Sequence, residues 1–262
     1  MNSVLLPTII VGAIGLTFGL LLAIAAVIFR VNTDERIGKI EEALPGANCG
    51  GCGFAGCSAY ASAVVEKGAG IDCCSVGGAA VAEKIGSIMG KTAEKKTPMV
   101  ARVLCGGNPE LSEKKYEYDG VLDCNAVARL AGGEKQCEFG CLGYGTCTKV
   151  CKFDAIHIVN GVAVVDEDKC TACGMCVSVC PKKVIELVPK NNPMAVLCKN
   201  KLIGKEVMAM CKIGCLGCKI CEKNCPFAAI SVTDNLAKID YSRCEACGLC
   251  AKVCPKKAII GE

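Results

Sequence analysis

Apolar and polar positions change character several times along the chain. Residues 4–29, VLLPTIIVGAIGLTFGLLLAIAAVIF, contain no charged side chain. As a helix this run would measure about 39 Å, enough to cross a ~30 Å hydrocarbon core with some tilt. It is too long for a typical signal-peptide apolar region, and no basic residue precedes it. A short charged helix, NTDERIGKIEEAL, comes next, then a glycine-rich loop that runs into a helix at Ser58. GSIMGKTAEKKTPMVA, residues 86–101, turns charged, meets Pro98 and reads as a linker. Farther on, AIHIVNGVAVVD sets two β-rich runs about Asn160-Gly161, the signature of a type I′ hairpin. AISVTDNLAKID is its counterpart, and His157 in the first hairpin is expected to pack rather than to ligate.

The apolar run bears on location. Arg30, Arg36 and Lys39 follow it, so the positive-inside rule predicts a single-pass protein of the cell (inner) membrane with its bulk in the cytoplasm. Gly15 and Gly19 form a GxxxG pair that either admits a second helix or belongs to a lone anchor. Cytoplasmic thiols stay reduced, so the 25 cysteines read as metal ligands rather than as a disulfide scaffold. One histidine disfavours mixed Cys/His zinc sites, leaving an all-cysteine zinc site as the rival for the first cysteine group. The formal charge of +4 treats every thiol as neutral. Five or six thiolate-bound cubanes would add about −10 to −12, and without an arginine-rich run no nucleic-acid partner is expected.

The cysteine spacings carry the chemistry. Cys49, Cys52 and Cys57 form C-x2-C-x4-C on the glycine-rich loop, with Cys73 or Cys74 as the fourth ligand. Two later stretches repeat each other. In the second, Cys215, Cys218, Cys221 and Cys225-Pro226 make a full C-x2-C-x2-C-x3-C-P run, as do Cys244, Cys247, Cys250 and Cys254-Pro255. The fourth cysteine of each run ligates the other cluster in two-cluster ferredoxins. One cluster therefore takes Cys215, Cys218, Cys221 and Cys254, and the other Cys244, Cys247, Cys250 and Cys225. In the first copy Cys170, Cys173, Cys176 and Cys180-Pro181 are complete, but Tyr144 stands where Cys218 is expected and Lys152 replaces the proline. Cys137, four residues before Cys141, is the nearest replacement. The expected sets are Cys137, Cys141, Cys147 and Cys180, and Cys170, Cys173, Cys176 and Cys151; a three-iron or empty site is the alternative for the first. Five [4Fe–4S] clusters use twenty cysteines. Cys105, Cys124, Cys198 and Cys211 permit a sixth, or remain unligated thiols, with Cys73 spare.

There is no Rossmann fingerprint, P-loop or Ser/His/Asp constellation, so no residue is assigned a catalytic role. A chain that only holds one-electron sites moves electrons between partners, one of them in or on the membrane. The apolar helix, EEALPGANCGGCGFAGC with CCSVGG, and the paired ferredoxin motifs resemble the B-subunit family of the Rnf ion-translocating ferredoxin:NAD+ oxidoreductases, over nearly the whole chain. The resemblance selects Cys74 as the fourth ligand of the first cluster. It implies an electron-transfer subunit of a translocase that accepts electrons from reduced ferredoxin and relays them to other subunits, driving Na+ or H+ outward. The expected fold is α+β: a transmembrane anchor (1–30), a small helical 4Fe-4S module (31–90), a linker (91–101), and two tandem bacterial-type ferredoxin domains (102–190 and 191–262). The C-terminal copy is the expected entry for electrons and the first module the exit. The alternatives are a wiring subunit of another membrane oxidoreductase such as a hydrogenase, a soluble ferredoxin carrier, and a thiol- or zinc-binding membrane protein without redox function.

Overall fold

A computed structural model describes residues 2–29, 34–93 and 97–261; Arg30, read above as a flanking charge, lies outside them. The uncharged run forms one helix, α1 (Asn2–Ile28). Its stretch Thr8–Ile28 has a mean hydropathy of 2.5 and buries nothing against the rest of the chain, as a candidate membrane span would. Among the described residues nothing would come within 4 Å of a β-carbon at Gly15 or Gly19.

Three helices follow: α2 (Glu35–Ala43), α3 (Cys57–Glu66) and α4 (Gly78–Met89). Ile37 and Ile40 of α2, with Leu44 beyond it, pack against Tyr60 and Val64 of α3 and Ile85 of α4. This small core holds the loop of the first cysteine group at one end.

The rest is α+β and repeats itself. β1 (Met99–Val103) begins inside the stretch read as linker. After it come α5 (Cys124–Arg129), α6 (Thr146–Lys149), β2 (Ile156–Val159), β3 (Val162–Val165), α7 (Met175–Val179) and β4 (Ile185–Pro189). The second copy runs β5 (Ala195–Val196), α8 (Gly204–Met210), α9 (Ile220–Lys223), β6 (Ile230–Thr233), β7 (Leu236–Ile239), α10 (Leu249–Lys252) and β8 (Ile259–Ile260). In each copy the first strand pairs antiparallel with the last, Val103 opposite Ile185 and Val196 opposite Ile259, while the inner two strands form a hairpin. Both hairpin turns hold two residues at positive φ, Asn160 (45°) and Gly161 (68°), then Asp234 (49°) and Asn235 (58°), as a type I′ turn requires. His157 is exposed on β2, its ring beside the Asp154 carbonyl, rather than packed.

Equivalent residues make the two cores: Ile156, Ala163 and Ile185 in the first copy, Ile230, Ala237 and Ile259 in the second. Cysteines complete both cores, so the thiols stand where larger domains place leucine or phenylalanine. So few large apolar groups call for a staple. The copies differ in one stretch. Cys141 lies thirty-six positions after Cys105, against seventeen from Cys198 to Cys215. The excess in the first copy carries α5.

Candidate metal centres

Each regular cysteine run wraps a short helix, and its thiols meet those of the other run in the same copy. Cys221 has Cys215, Cys218 and Cys254 as neighbours. Cys225, Cys244, Cys247 and Cys250 line one cavity, and Cys151, Cys170, Cys173 and Cys176 line its counterpart in the first copy. The crossing arises from a turn after each fourth cysteine. Three residues on, Asp154, Lys183, Ala228 and Lys257 adopt φ of 49°, 50°, 48° and 50°. That left-handed conformation costs a residue with a side chain about 1–2 kcal/mol. It lets the following N–H point back at sulfur: Ala155 donates to Cys151 Sγ (3.4 Å), Ala229 to Cys225 Sγ (3.3 Å) and Ala258 to Cys254 Sγ (3.3 Å). A thiolate accepts such bonds well, and they tune any metal it holds.

In the helical module, Asn48 Oδ1 accepts the N–H of Cys57 (2.8 Å) and starts α3. Tyr60, almost fully buried, donates its hydroxyl proton to the Gly70 carbonyl (2.7 Å) and accepts the Cys73 N–H (3.2 Å). With the backbone at Cys73 held there, Cys74 lines the cavity together with Cys49, Cys52 and Cys57, and its sulfur accepts the Gly77 N–H (3.4 Å). Cys73 is not among the residues lining that cavity.

Two assignments made from spacing need correction. Cys137 does not join Cys141, Cys147 and Cys180; Cys124 does, and these four thiols line one cavity. Cys124 opens α5, whose N-cap Asp123 accepts the N–H groups of Asn125 and Ala126. Thr146 Oγ1 accepts the Cys124 N–H (2.7 Å) and donates to Asp123 Oδ2 (2.8 Å), pinning the inserted helix to the motif loop. Tyr144, which took the place of a ligand, stacks edge-on against Tyr118 of the insertion with ring centres 5.6 Å apart. Cys137 instead lines a separate cavity with Cys105, Cys198 and Cys211, so Cys124 and Cys137 exchange the places expected of them. The nearest thiol in sequence faced the other way. The usable signal was the nineteen-residue excess of the first copy, which delivers a cysteine from outside the motif.

These five cavities each enclose about 330 to 380 Å³, part of it open to solvent. Among the described residues no three Cys, His, Asp or Glu side chains converge tightly enough to chelate a single ion. Four thiols set around a shared space suit the wider cubane. Burial pushes these thiols up, Cys147 and Cys198 to about 12 and Cys176 and Cys221 to about 11, with neighbouring sulfurs adding to the effect. At neutral pH they are protonated unless a cationic core displaces the protons. The donor set fits iron–sulfur clusters: thiols only, half-buried, with backbone N–H groups directed at sulfur.

The cysteine groups also touch. Lys152 Nζ reaches back to the carbonyls of Ala47 (3.1 Å) and Asn48 (3.0 Å), beside Cys49. A β-carbon on Gly51 would lie 2.6 Å from the Cys173 carbonyl oxygen, so the loop of the helical module rests directly on a cysteine loop of the first copy. Cys141 N–H donates to Cys105 Sγ (3.3 Å), and Cys198 neighbours Cys215.

Three family models match: an Fe-S cluster family over residues 44–76, the 4Fe-4S binding domain over 163–186 and the 4Fe-4S dicluster domain over 214–258. The whole chain is 46% identical to the B subunit of the Na+-translocating ferredoxin:NAD+ oxidoreductase complex of Acetobacterium woodii, covering 79% of that protein. It is 42% identical to the B subunit of the ion-translocating oxidoreductase complex of Methanosarcina acetivorans, over 99% of both chains. The B subunit of the proton-translocating ferredoxin:NAD+ oxidoreductase complex of Clostridium ljungdahlii is 44% identical over 94% of this chain and 88% of its own length.

Proposed function

The chain belongs to the B-subunit family of ion-translocating oxidoreductase (Rnf) complexes, and from that premise we propose that it takes electrons from reduced ferredoxin and relays them to the membrane redox subunits. It is an electron-transfer subunit carrying 4Fe-4S ferredoxin domains. Each cluster, when bound, supplies storage for one electron. The chain's own residues set where the clusters stand and how closely they follow one another.

The observation that carries the proposal is an unbroken succession of thiol groups. Cys74 with Cys49, Cys52 and Cys57 adjoins the group of Cys173 through Gly51. The Cys170 run and the group of Cys124, Cys141, Cys147 and Cys180 share the first copy, and Cys141 adjoins Cys105. Cys198 adjoins Cys215, the first thiol of the second copy. Direction comes from exposure. Of the 25 cysteines only Cys218 and Cys247 are exposed, both in the C-terminal copy, where a soluble donor would approach the ligands themselves. The opposite end adjoins the apolar helix in sequence, which suits delivery into the membrane from the cytoplasmic face.

Mixing the anaerobically purified chain with reduced ferredoxin tests this. Its iron–sulfur absorbance should bleach stepwise as donor is added. A chain that dithionite bleaches but reduced ferredoxin does not would overturn the donor assignment.

A further inference from the structure

The surface of α9 and α10 in the C-terminal copy is bare where its counterpart in the first copy is covered. The shared GCLG aligns α6 with α9, and the two later cysteine runs align α7 with α10. In the first copy Thr146 of α6 is buried under the insertion, where it holds Asp123 and the Cys124 N–H. Lys149, at the end of the same helix, donates to the Leu122 carbonyl (3.1 Å). Tyr144 lies against Tyr118, and the loop of the helical module rests on Cys173. The second copy lacks the insertion. Ile220, which takes the place of Thr146, is exposed, as are Leu249, Cys218 and Cys247. α9 follows Cys218, α10 follows Cys247, and the two helices pack against each other, so these groups border one surface.

The bare surface is also the more basic of the two. Where the first copy has Gly145 and Ser178, the second has Lys219 and Lys252, and Lys149 is matched by Lys223. All three lysines are exposed, and among the described residues none pairs with a carboxylate. Glu222, which stands between Lys219 and Lys223, accepts the Val232 N–H instead (3.3 Å). Glu245 is the other acidic residue within the two cysteine runs. Exposed apolar groups rimmed by cations suit contact with a partner of opposite charge. A thiolate-bound cubane brings about −2 to a donor protein. The clusters of this copy would repel such a donor, and lysines around the exposed thiols offset that repulsion.

We propose that Lys219, Lys223 and Lys252, set around Ile220 and Leu249, form the docking surface for an acidic iron–sulfur donor protein. The proposal rests on the electron-relay reading and gives its donor a place to bind. One electron leaves the reduced centre of the donor and one arrives at the cluster of Cys218 or of Cys247; no bond or proton is exchanged. Attraction between opposite charges acts mainly on the rate of encounter. Salt screens it over about 8 Å at physiological ionic strength.

The test mixes the cluster-loaded full chain, in detergent and without oxygen, with a reduced acidic two-cluster ferredoxin in a stopped-flow spectrometer. Lys219→Glu/Lys223→Glu/Lys252→Glu should lower the second-order rate constant about tenfold or more at low salt. The difference should shrink as salt is raised. Iron content and bleaching by dithionite should match wild type. Lys67→Glu/Lys84→Glu/Lys238→Glu makes the same change in net charge away from this surface and should lose far less. Equal losses in the two variants would reduce the effect to net charge and overturn the surface. A surface variant as fast as wild type would also overturn it, with the relay reading intact. Wild type that dithionite bleaches and ferredoxin does not would fail the donor reading, and the surface with it. Should the surface variant lose iron, acetylation of wild type decides. Oxidised ferredoxin should shield Lys219, Lys223 and Lys252 and leave Lys67 and Lys84 reactive. Shielding by anionic lipid vesicles or by a higher concentration of the chain, with none by ferredoxin, would assign the surface to a membrane or a second copy and overturn the proposal.

Discussion

Tyr144 stands where the second copy has Cys218, and its ring now anchors the insertion that supplies Cys124 through the contact with Tyr118. Two changes therefore offset each other: a thiol lost from the loop and one brought to the same cavity by α5. Cys124→Ser should cost one site its cube, leaving about four irons fewer or a three-iron centre, whereas Cys137→Ser should spare the signals of that site. Tyr144→Cys added to Cys124→Ser should restore the cube, because the shared GCLG places residue 144 on the position of Cys218. Iron content and EPR of the three variants decide; a Cys137→Ser chain that loses this centre while Cys124→Ser keeps it would reverse the assignment. The left-handed residues after each fourth cysteine invite a second test. Ala228→Gly relieves a conformation that costs about 1–2 kcal/mol, so unfolding should require more denaturant unless the added freedom of the unfolded chain offsets the gain. Ala228→Val should lower the midpoint and loosen the turn that brings the Ala229 N–H to Cys225. A stabilising valine would show that this turn is not held as described.

At the level of elements, the departure from the proline pattern at Lys152 has a use. A proline would have no ammonium to hold the Ala47 and Asn48 carbonyls, and the helical module would lose a clamp to the first copy. Gly51 makes the same contact from the other side. A side chain there meets backbone of Cys173 at 2.6 Å, and backbone cannot yield as a flexible side-chain end can. Gly51→Val should therefore part the two cysteine loops while both still bind iron. Reduction of the helical module through the ferredoxin copies should slow in this variant, because electron transfer weakens as the distance between centres grows. The magnetic interaction between the two neighbouring centres should weaken in the same variant. Lys152→Ala should do the same more mildly; unchanged kinetics in both would remove this junction from the path. The strands and hairpins were legible from period-two patterns and the Asn160-Gly161 turn, and the regular runs from spacing alone. What spacing did not reveal was a thiol supplied from outside the cysteine runs. Cys124 reaches its site through tertiary folding of an insertion, and Cys137 leaves its neighbour Cys141 because the chain turns between them. β1 was read as linker because its strand partner, β4, lies more than eighty residues away.

For the molecule as a whole, one helix with nothing packed on it and a body rich in buried thiols pose opposite solvent requirements. The large apolar side chains described in α1, from Leu6 to Ile28, are exposed, so the full chain should partition into membranes or detergent. The body, by contrast, has to stay in a reducing compartment to keep its thiols available, and Arg36 and Lys39 just beyond the helix point the same way. These arguments are independent: one concerns the chemistry of sulfur, the other the bias of charge across a bilayer. Both favour the cytoplasmic face, where the proposed ferredoxin donor would be met. Protease added to inverted membrane vesicles should release the cluster-bearing part as brown, iron-containing fragments, whereas right-side-out vesicles should protect it until they are permeabilised. Protection in the inverted preparation and cleavage in the other would put the exposed Cys218 and Cys247 edge on the far side from any cytoplasmic donor. The direction of electron flow proposed here would then have to be abandoned, even with every cluster in place.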